Sequence, residues 1–156
     1  MIYHAYFHSV MEFGIPFWGV SADSKKVFLQ QKRAVRIMTG SPSRASCRKL
    51  FRRLKILTVT SQYILFSMRF LASNLEKFTF NSSVHDLNTR HRTKLHKPQV
   101  RLKLYQQSLY YSCINIYNHL PDYLAVLILD KKRFLQHVKK YLIDNPFYTM
   151  EEFLEY

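Results

Sequence analysis

Three glycines in 156 residues, Gly14, Gly19 and Gly40, leave this chain few means of making tight turns. Sandwiches and barrels need many such turns, and five prolines do not make up the deficit. Helices need few, so the expected fold class is mostly α. The composition, 47% apolar and 15% aromatic, gives enough side-chain volume for a core and excludes a disordered tail. At this length the expectation is a helical bundle of about five to six helices with one long basic irregular loop, forming one domain. The parts are N-terminal helices over 1–77, the basic loop over 78–107 and C-terminal helices over 108–156.

Local signals place these helices. Ile2 to Phe13 is aromatic-rich, and Gly14 and Pro16 are expected to end its helix. Trp18, just after the break, reads as a packing residue. Ser24 to Met38 is the clearest helix, with Ser24 as N-cap and Gly40 as stop. At roughly 100° per residue, Val27, Phe28, Gln31, Ala34, Val35 and Met38 fall on one arc. Lys25, Lys26, Lys32, Arg33 and Arg36 fall on the opposite one, while Leu29 and Ile37 break the pattern. A short helix follows near Ser46 to Leu54. A longer one, capped by Thr58 or Thr60, runs to about Leu75 and is apolar on two sides, as central helices are. Phe78 to Gln107 reads as the basic loop. Ser108 to His119 is helical, with Asn118 and Pro121 as its stop. Asp130 caps a last long helix with Phe134, Val138, Tyr141 and Leu142 as its stripe. Thr149 and Glu152 have capping-box spacing.

Charge is the strongest compositional signal. The net charge is +14, unevenly spread. Twelve Lys or Arg lie between Ser24 and Leu75 with no acid among them, and six more between Leu87 and Pro121, again without one. Ordinary helix faces mix signs. A field of one sign repels itself in the compact state and attracts polyanions, so nucleic acid is the first candidate partner. The candidate phosphate-binding residues are Lys25, Lys32, Arg33, Arg36, Arg44, Arg48, Arg52 and Arg53, with Arg90 and Arg92 in the loop.

Catalytic chemistry has no visible home. No Gly-rich run could cradle a phosphate. The ten acids are thinly spread, and no carboxylate cluster is visible that could hold two cations about 4 Å apart. His4, His8 and Glu12 share a helix face at four-residue spacing, but lack a fourth ligand. No catalytic residue, no metal site and no cofactor is therefore expected, and the chain alone is not expected to be an enzyme. Cys47 and Cys113 form no close-spaced pair, which favours a reducing compartment. No apolar run of membrane-spanning length occurs, and the first residues do not resemble a signal peptide. The expected location is intracellular, nuclear or cytoplasmic, without a membrane partner.

Several segments, in order, resemble the C-terminal region of non-LTR retrotransposon reverse transcriptases, jockey-like and related elements. Phe13 to Gly19, FGIPFWG, resembles a YGxxxWG segment. Gln31 to Gly40, QKRAVRIMTG, resembles the helix that follows it. His85 to Arg90, HDLNTR, is similar to HxYNTR, with Leu87 at the tyrosine position. Tyr117 to Pro121, YNHLP, matches a YNxLP element, and the helix around Phe134 falls where a last F-K-x-x-L pattern lies. The resemblance implies the thumb and post-palm portion of an RNA-directed DNA polymerase, whose catalytic carboxylates lie upstream in the palm. It implies a non-catalytic fragment that holds template–primer backbone, with the missing palm domain as a further partner. The alternative is a domesticated helical module for protein interaction or structure, whose basic face meets acidic partners.

Overall fold

The computed structural model describes residues 3–19, 21, 23–84 and 91–156. It is mostly helical, with ten α-helices and no strand among the described residues. A π-helical turn, Tyr3–His8, runs into α1 (Ser9–Trp18). α2 (Ser24–Thr39), α3 (Arg48–Leu54) and α4 (Val59–Ser73) follow. α5 (Asn81–Val84) and α6 (Lys103–Gln106) are single turns. α7 (Leu109–His119), α8 (Asp122–Ala125), α9 (Lys131–Asp144) and α10 (Met150–Glu155) complete the chain. The all-α class agrees with the sequence reading. The count of five to six helices is too low, because single turns such as α5, α6 and α8 carry too few residues for a visible period.

The chain divides into two compact units, Met1–Phe66 with Lys139–Tyr156, and Ser67–Val138. α4 supplies Tyr63 and Ile64 to the first and Met68 and Leu71 to the second, all essentially inaccessible. Residues 56–65 are buried without interruption, as the two-sided apolar pattern of this helix requires.

In the first unit, Tyr3, Met11, Phe28, Val35, Cys47, Phe51, Ile56 and Val59 form one apolar cluster, with Trp18 partly buried against it. α2 ends as its sequence dictates. Gly40 is left-handed at φ 60°, its N–H bonds to the Ile37 carbonyl, and the Ser41 N–H bonds to the Arg36 carbonyl. That is a Schellman cap, which glycine alone enters without a Cβ penalty. At the other end Asp23, not Ser24, is the N-cap, and makes no side-chain cap bond. Met38, expected on the packing arc, is 45% exposed.

Gln31 sits on the inner face of α2 with no accessible surface. Its Nε2 donates to Tyr3 Oη and to the Leu57 carbonyl, both at 2.8 Å, and its Oε1 accepts from Val59 N–H at 3.0 Å. One amide thus joins the N-terminal helix, α2 and the turn before α4. Thr58 fills two roles at the start of α4. Its Oγ1 accepts from Ser61 N–H and donates to the Phe147 carbonyl at 2.6 Å.

Gly14 and Pro16 do not end the first helix, which continues to Trp18 with Pro16 inside. Proline there removes one bond to the carbonyl four residues back. Burial of Met11 and Ile15 on the same helix favours continuation. Gly19 has a different reason to be glycine. A Cβ there would run into the Tyr63 ring and lie 2.6 Å from the Ile15 carbonyl oxygen.

The second unit buries Phe78, Leu95, Ile114, Ile116, Tyr117, Leu124, Phe134 and Val138. Here the expected 78–107 loop is only partly irregular. It contains α5 and α6, and two of its residues pair: Phe80 and Leu95 form an antiparallel bridge, with Asn81 N–H to Lys94 O and His96 N–H to Thr79 O. Asn118 of α7 holds this pair. Its Oδ1 accepts from Leu95 N–H and its Nδ2 donates to Leu95 O, both at 2.9 Å. Ser108 caps α7 and Asp130 caps α9 through side-chain oxygens.

Gln31→Leu should lower the free energy of unfolding by about 3 kcal/mol, because it strands the Tyr3 hydroxyl, the Leu57 carbonyl and the Val59 N–H away from water. Urea denaturation followed by circular dichroism measures this. A loss under ~1 kcal/mol would show that the Gln31 amide does not hold the unit together.

Candidate functional site

The basic residues singled out from sequence do not behave as one set. On α2, Lys25 and Arg33 are exposed, whereas Lys32 and Arg36 are half-buried. The helical period explains the division: Lys32 and Arg36, four apart, border the packed arc. Arg36 donates from Nε to the Ala45 carbonyl at 3.0 Å and so braces the turn between α2 and α3. The Lys32 ammonium stands 4.8 Å from the centre of the Phe28 ring and 5.5 Å from that of Tyr148. Lys26, also on α2, is paired with Asp23 at 2.8 Å in a fully exposed contact.

Arg44, in the turn, and Arg52 and Arg53, on α3, are exposed. Arg33, Arg44, Arg52 and Arg53 have no carboxylate partner among the described residues. Arg48 is different. Its Nη1 lies 2.6 Å from Glu152 Oε1 and donates to the Pro146 carbonyl at 3.1 Å, while its guanidinium covers the Tyr148 ring at 4.3 Å. Arg48 therefore fastens the C-terminal segment to α3, and its charge is largely answered within the fold. Arg92 is exposed in the second unit, where it lines a recess of about 490 Å³ with Phe80, Tyr117, Asp122, Val126 and Leu129. Arg90, with the whole 85–90 segment, lies outside the described residues.

Lys32 and Arg48 converge on Tyr148, which the sequence reading did not single out. Tyr148 also borders a groove of about 700 Å³ in the first unit, lined by Lys25, Phe28, Lys32, Val59, Thr149 and Glu151 among others. The groove has an apolar floor and two lysines, and Glu151 is its acid. The Thr149–Glu152 spacing was the available signal for this region. It correctly marked the start of α10, where Thr149 Oγ1 accepts from Glu152 N–H at 3.1 Å. The Glu152 carboxylate turns elsewhere, to Tyr148 N–H at 2.8 Å and to Arg48, a pairing invisible at such sequence distance.

Two other acids each serve a single neighbour. Asp23 faces Lys26, and Asp130 caps α9. His4 and His8 rings meet edge-on at 5.2 Å, and His8 Nε2 lies 3.6 Å from Glu12. Among the described residues no group of three or more His, Cys, Asp or Glu is arranged to hold a metal ion. No helix among them is long and apolar enough to cross a membrane. Comparison with protein-family models, curated proteins and solved structures finds no match to this chain.

Two titrations follow from this geometry. Partial burial alone would raise the Glu152 carboxyl, but Arg48 and the Tyr148 N–H together hold it below the ordinary glutamate value of 4.5. A carboxylate with a depressed native value contributes stability above its unfolded value and loses it as pH falls through the native one. Glu152→Gln should therefore cost about 1 kcal/mol at neutral pH, a modest figure because Arg48 is half-exposed. That cost should shrink as pH falls below the unfolded value of 4.5 in chemical denaturation, and a pH-independent cost would refute the linkage. Cys113 has no accessible surface, and burial pushes its thiol up to about 12. It should resist iodoacetamide at pH 8 in the native chain and react fully in guanidinium, read by mass spectrometry.

Proposed function

We propose that this chain is a non-catalytic C-terminal portion of an RNA-directed DNA polymerase from a non-LTR mobile element, and that it holds template–primer nucleic acid by its phosphate backbone. One observation carries the binding half of this reading. Within an acid-free run of twelve cations, Arg33, Arg44, Arg52 and Arg53 stay exposed and unanswered by any described carboxylate. Such a cluster is electrostatically costly without a polyanion nearby. The ordered resemblance of FGIPFWG, QKRAVRIMTG, HDLNTR and YNHLP supports the ancestry. The chemistry of synthesis belongs to carboxylates outside this chain, so these residues position and do not react.

The contact is with phosphates and not with bases. Guanidinium groups on exposed helix faces match phosphate oxygens in geometry and charge, and carry no sequence information there. Lys25, exposed at the start of α2, adds a further cation to the same acid-free run. Lys32, Arg36 and Arg48 each have a structural partner as well, so their share in binding is smaller than that of the four unanswered arginines.

Affinity for unrelated duplexes should fall linearly in log–log form with salt, by roughly 0.9 per neutralised phosphate. Replacing Arg33, Arg52 and Arg53 with Gln should flatten that slope by about two to three units and weaken binding equally across sequences. Helix content should be kept, since glutamine is a good helix former. Fluorescence anisotropy over a salt series reads both effects. If the triple variant keeps affinity and slope, the arginines are only a solvated face. Saturable binding to a single protein, with no affinity for nucleic acid, would instead favour a helical interaction module.

A further inference from the structure

The first helix is apolar on two opposite sides, and the described residues cover only one of them. Tyr3, Met11 and Ile15 face the core of the first unit. On the outer side Tyr6, Val10, Phe13 and Phe17 are 75%, 73%, 90% and 89% exposed. Their spacing of four, three and four residues is that of a single helical seam. At about 100° per residue, Val10, Phe13 and Phe17 lie within an arc of about 60°, and Tyr6 follows one turn earlier. Isolated exposed apolar residues need no explanation, but a contiguous stripe with three aromatics does.

Charge decides what can cover it. All 24 Lys and Arg lie at or beyond Lys25, so the first helix carries none. An acidic partner would be drawn to the cationic faces and not to this one. A second copy of the same chain, itself at +14, is repelled from every basic face and can approach only where cations are missing. The stripe is also self-complementary. Laid antiparallel on a copy of itself about a two-fold axis between Met11 and Glu12, Val10 meets Phe13 of the other copy, and Tyr6 meets Phe17. That is the isologous arrangement of a symmetric dimer. Ala5 and Ser9, small and exposed beside the seam, leave room for the backbones to come close. The four side chains present roughly 600 Å² per copy, taking about 150–250 Å² for each aromatic. Two copies would bury roughly 1,200 Å², the lower bound for a specific stable interface.

We propose that the outer face of the N-terminal helix is a homodimer interface, closed by antiparallel pairing of Tyr6, Val10, Phe13 and Phe17 with the same residues of a second copy. This is independent of phosphate binding, since the stripe holds no cation.

Sedimentation equilibrium of the full chain tests it. The unmodified chain should pass from monomer to dimer through the micromolar range. F13E should weaken self-association about 30-fold or more, because Phe13 lies at the centre of the seam. V10K should do likewise. The chain carrying both V10K and F13E should dimerise again, because the antiparallel register sets each new cation opposite a new anion. Far-UV circular dichroism should be unchanged, as both positions are exposed; F17S provides a milder variant if either charged one fails to fold. A chain that stays monomeric at all concentrations overturns the proposal, as does a dimer indifferent to F13E and F17S. Failure of the double variant to recover overturns the antiparallel register. Monomer that instead co-sediments with phosphatidylcholine vesicles through Phe13 and Phe17 assigns the stripe to a lipid surface and overturns the dimer.

Discussion

The first unit depends on one buried amide. Gln31 has no access to water, yet both ends of its side chain are engaged, with Tyr3, Leu57 and Val59 as partners. A hydrophobic residue of the same size would fill the space and leave three polar groups unanswered. The amide therefore fixes a unique arrangement, since sliding α2 by one residue would break all three bonds together. Everything the outer surface of α2 presents, including Arg33, is oriented by what its inner surface must satisfy. The phenol of Tyr3 shares in this: burial pushes it up, and the hydrogen bond from Gln31 acts against that.

The cations divide along the same line. Those bordering the packed arc are recruited by the fold. Arg36 braces a carbonyl, Lys32 lies over two rings, and Arg48 clamps Glu152, Pro146 and Tyr148. Arg33, Arg44, Arg52 and Arg53, exposed, answer no carboxylate among the described residues. A net charge alone hides this difference, because it counts both kinds equally. The residues best suited to an external polyanion are the ones whose removal should disturb the fold least, which separates binding from stability in mutational work.

Much of the architecture was readable because its signals are local. Gly40 stops α2, Asp130 caps α9, and the two-sided pattern of α4 marks it as central. What escaped depends on partners distant in sequence. Pro16 reads as a stop, yet burial on the same helix outweighs one missing hydrogen bond. The 78–107 segment reads as polar loop because its order comes from Asn118, far along the chain. Arg48 reads as one more cation because Glu152 is nearly at the other end. Of the residues named in advance for binding, Arg33, Arg44, Arg52 and Arg53 have no carboxylate partner among the described residues, whereas the role of Tyr148 had no signal beyond a neighbouring cap.

Asn118 has a consequence for how the second unit opens. Its side-chain amide presents to Leu95 one donor and one acceptor, as a neighbouring strand's backbone would, so a helix stands in for a sheet edge. The Leu95 N–H, which the bridge to Phe80 leaves unused, is thereby shielded by a residue anchored on α7. Exchange of that hydrogen with solvent deuterium must await departure of the Asn118 side chain, through rotation or fraying of the last turn of α7. A single amide in the segment before α6 thus becomes a natural reporter on the end of a helix, and its exchange rate should follow helix fraying more closely than the mobility of its own surroundings.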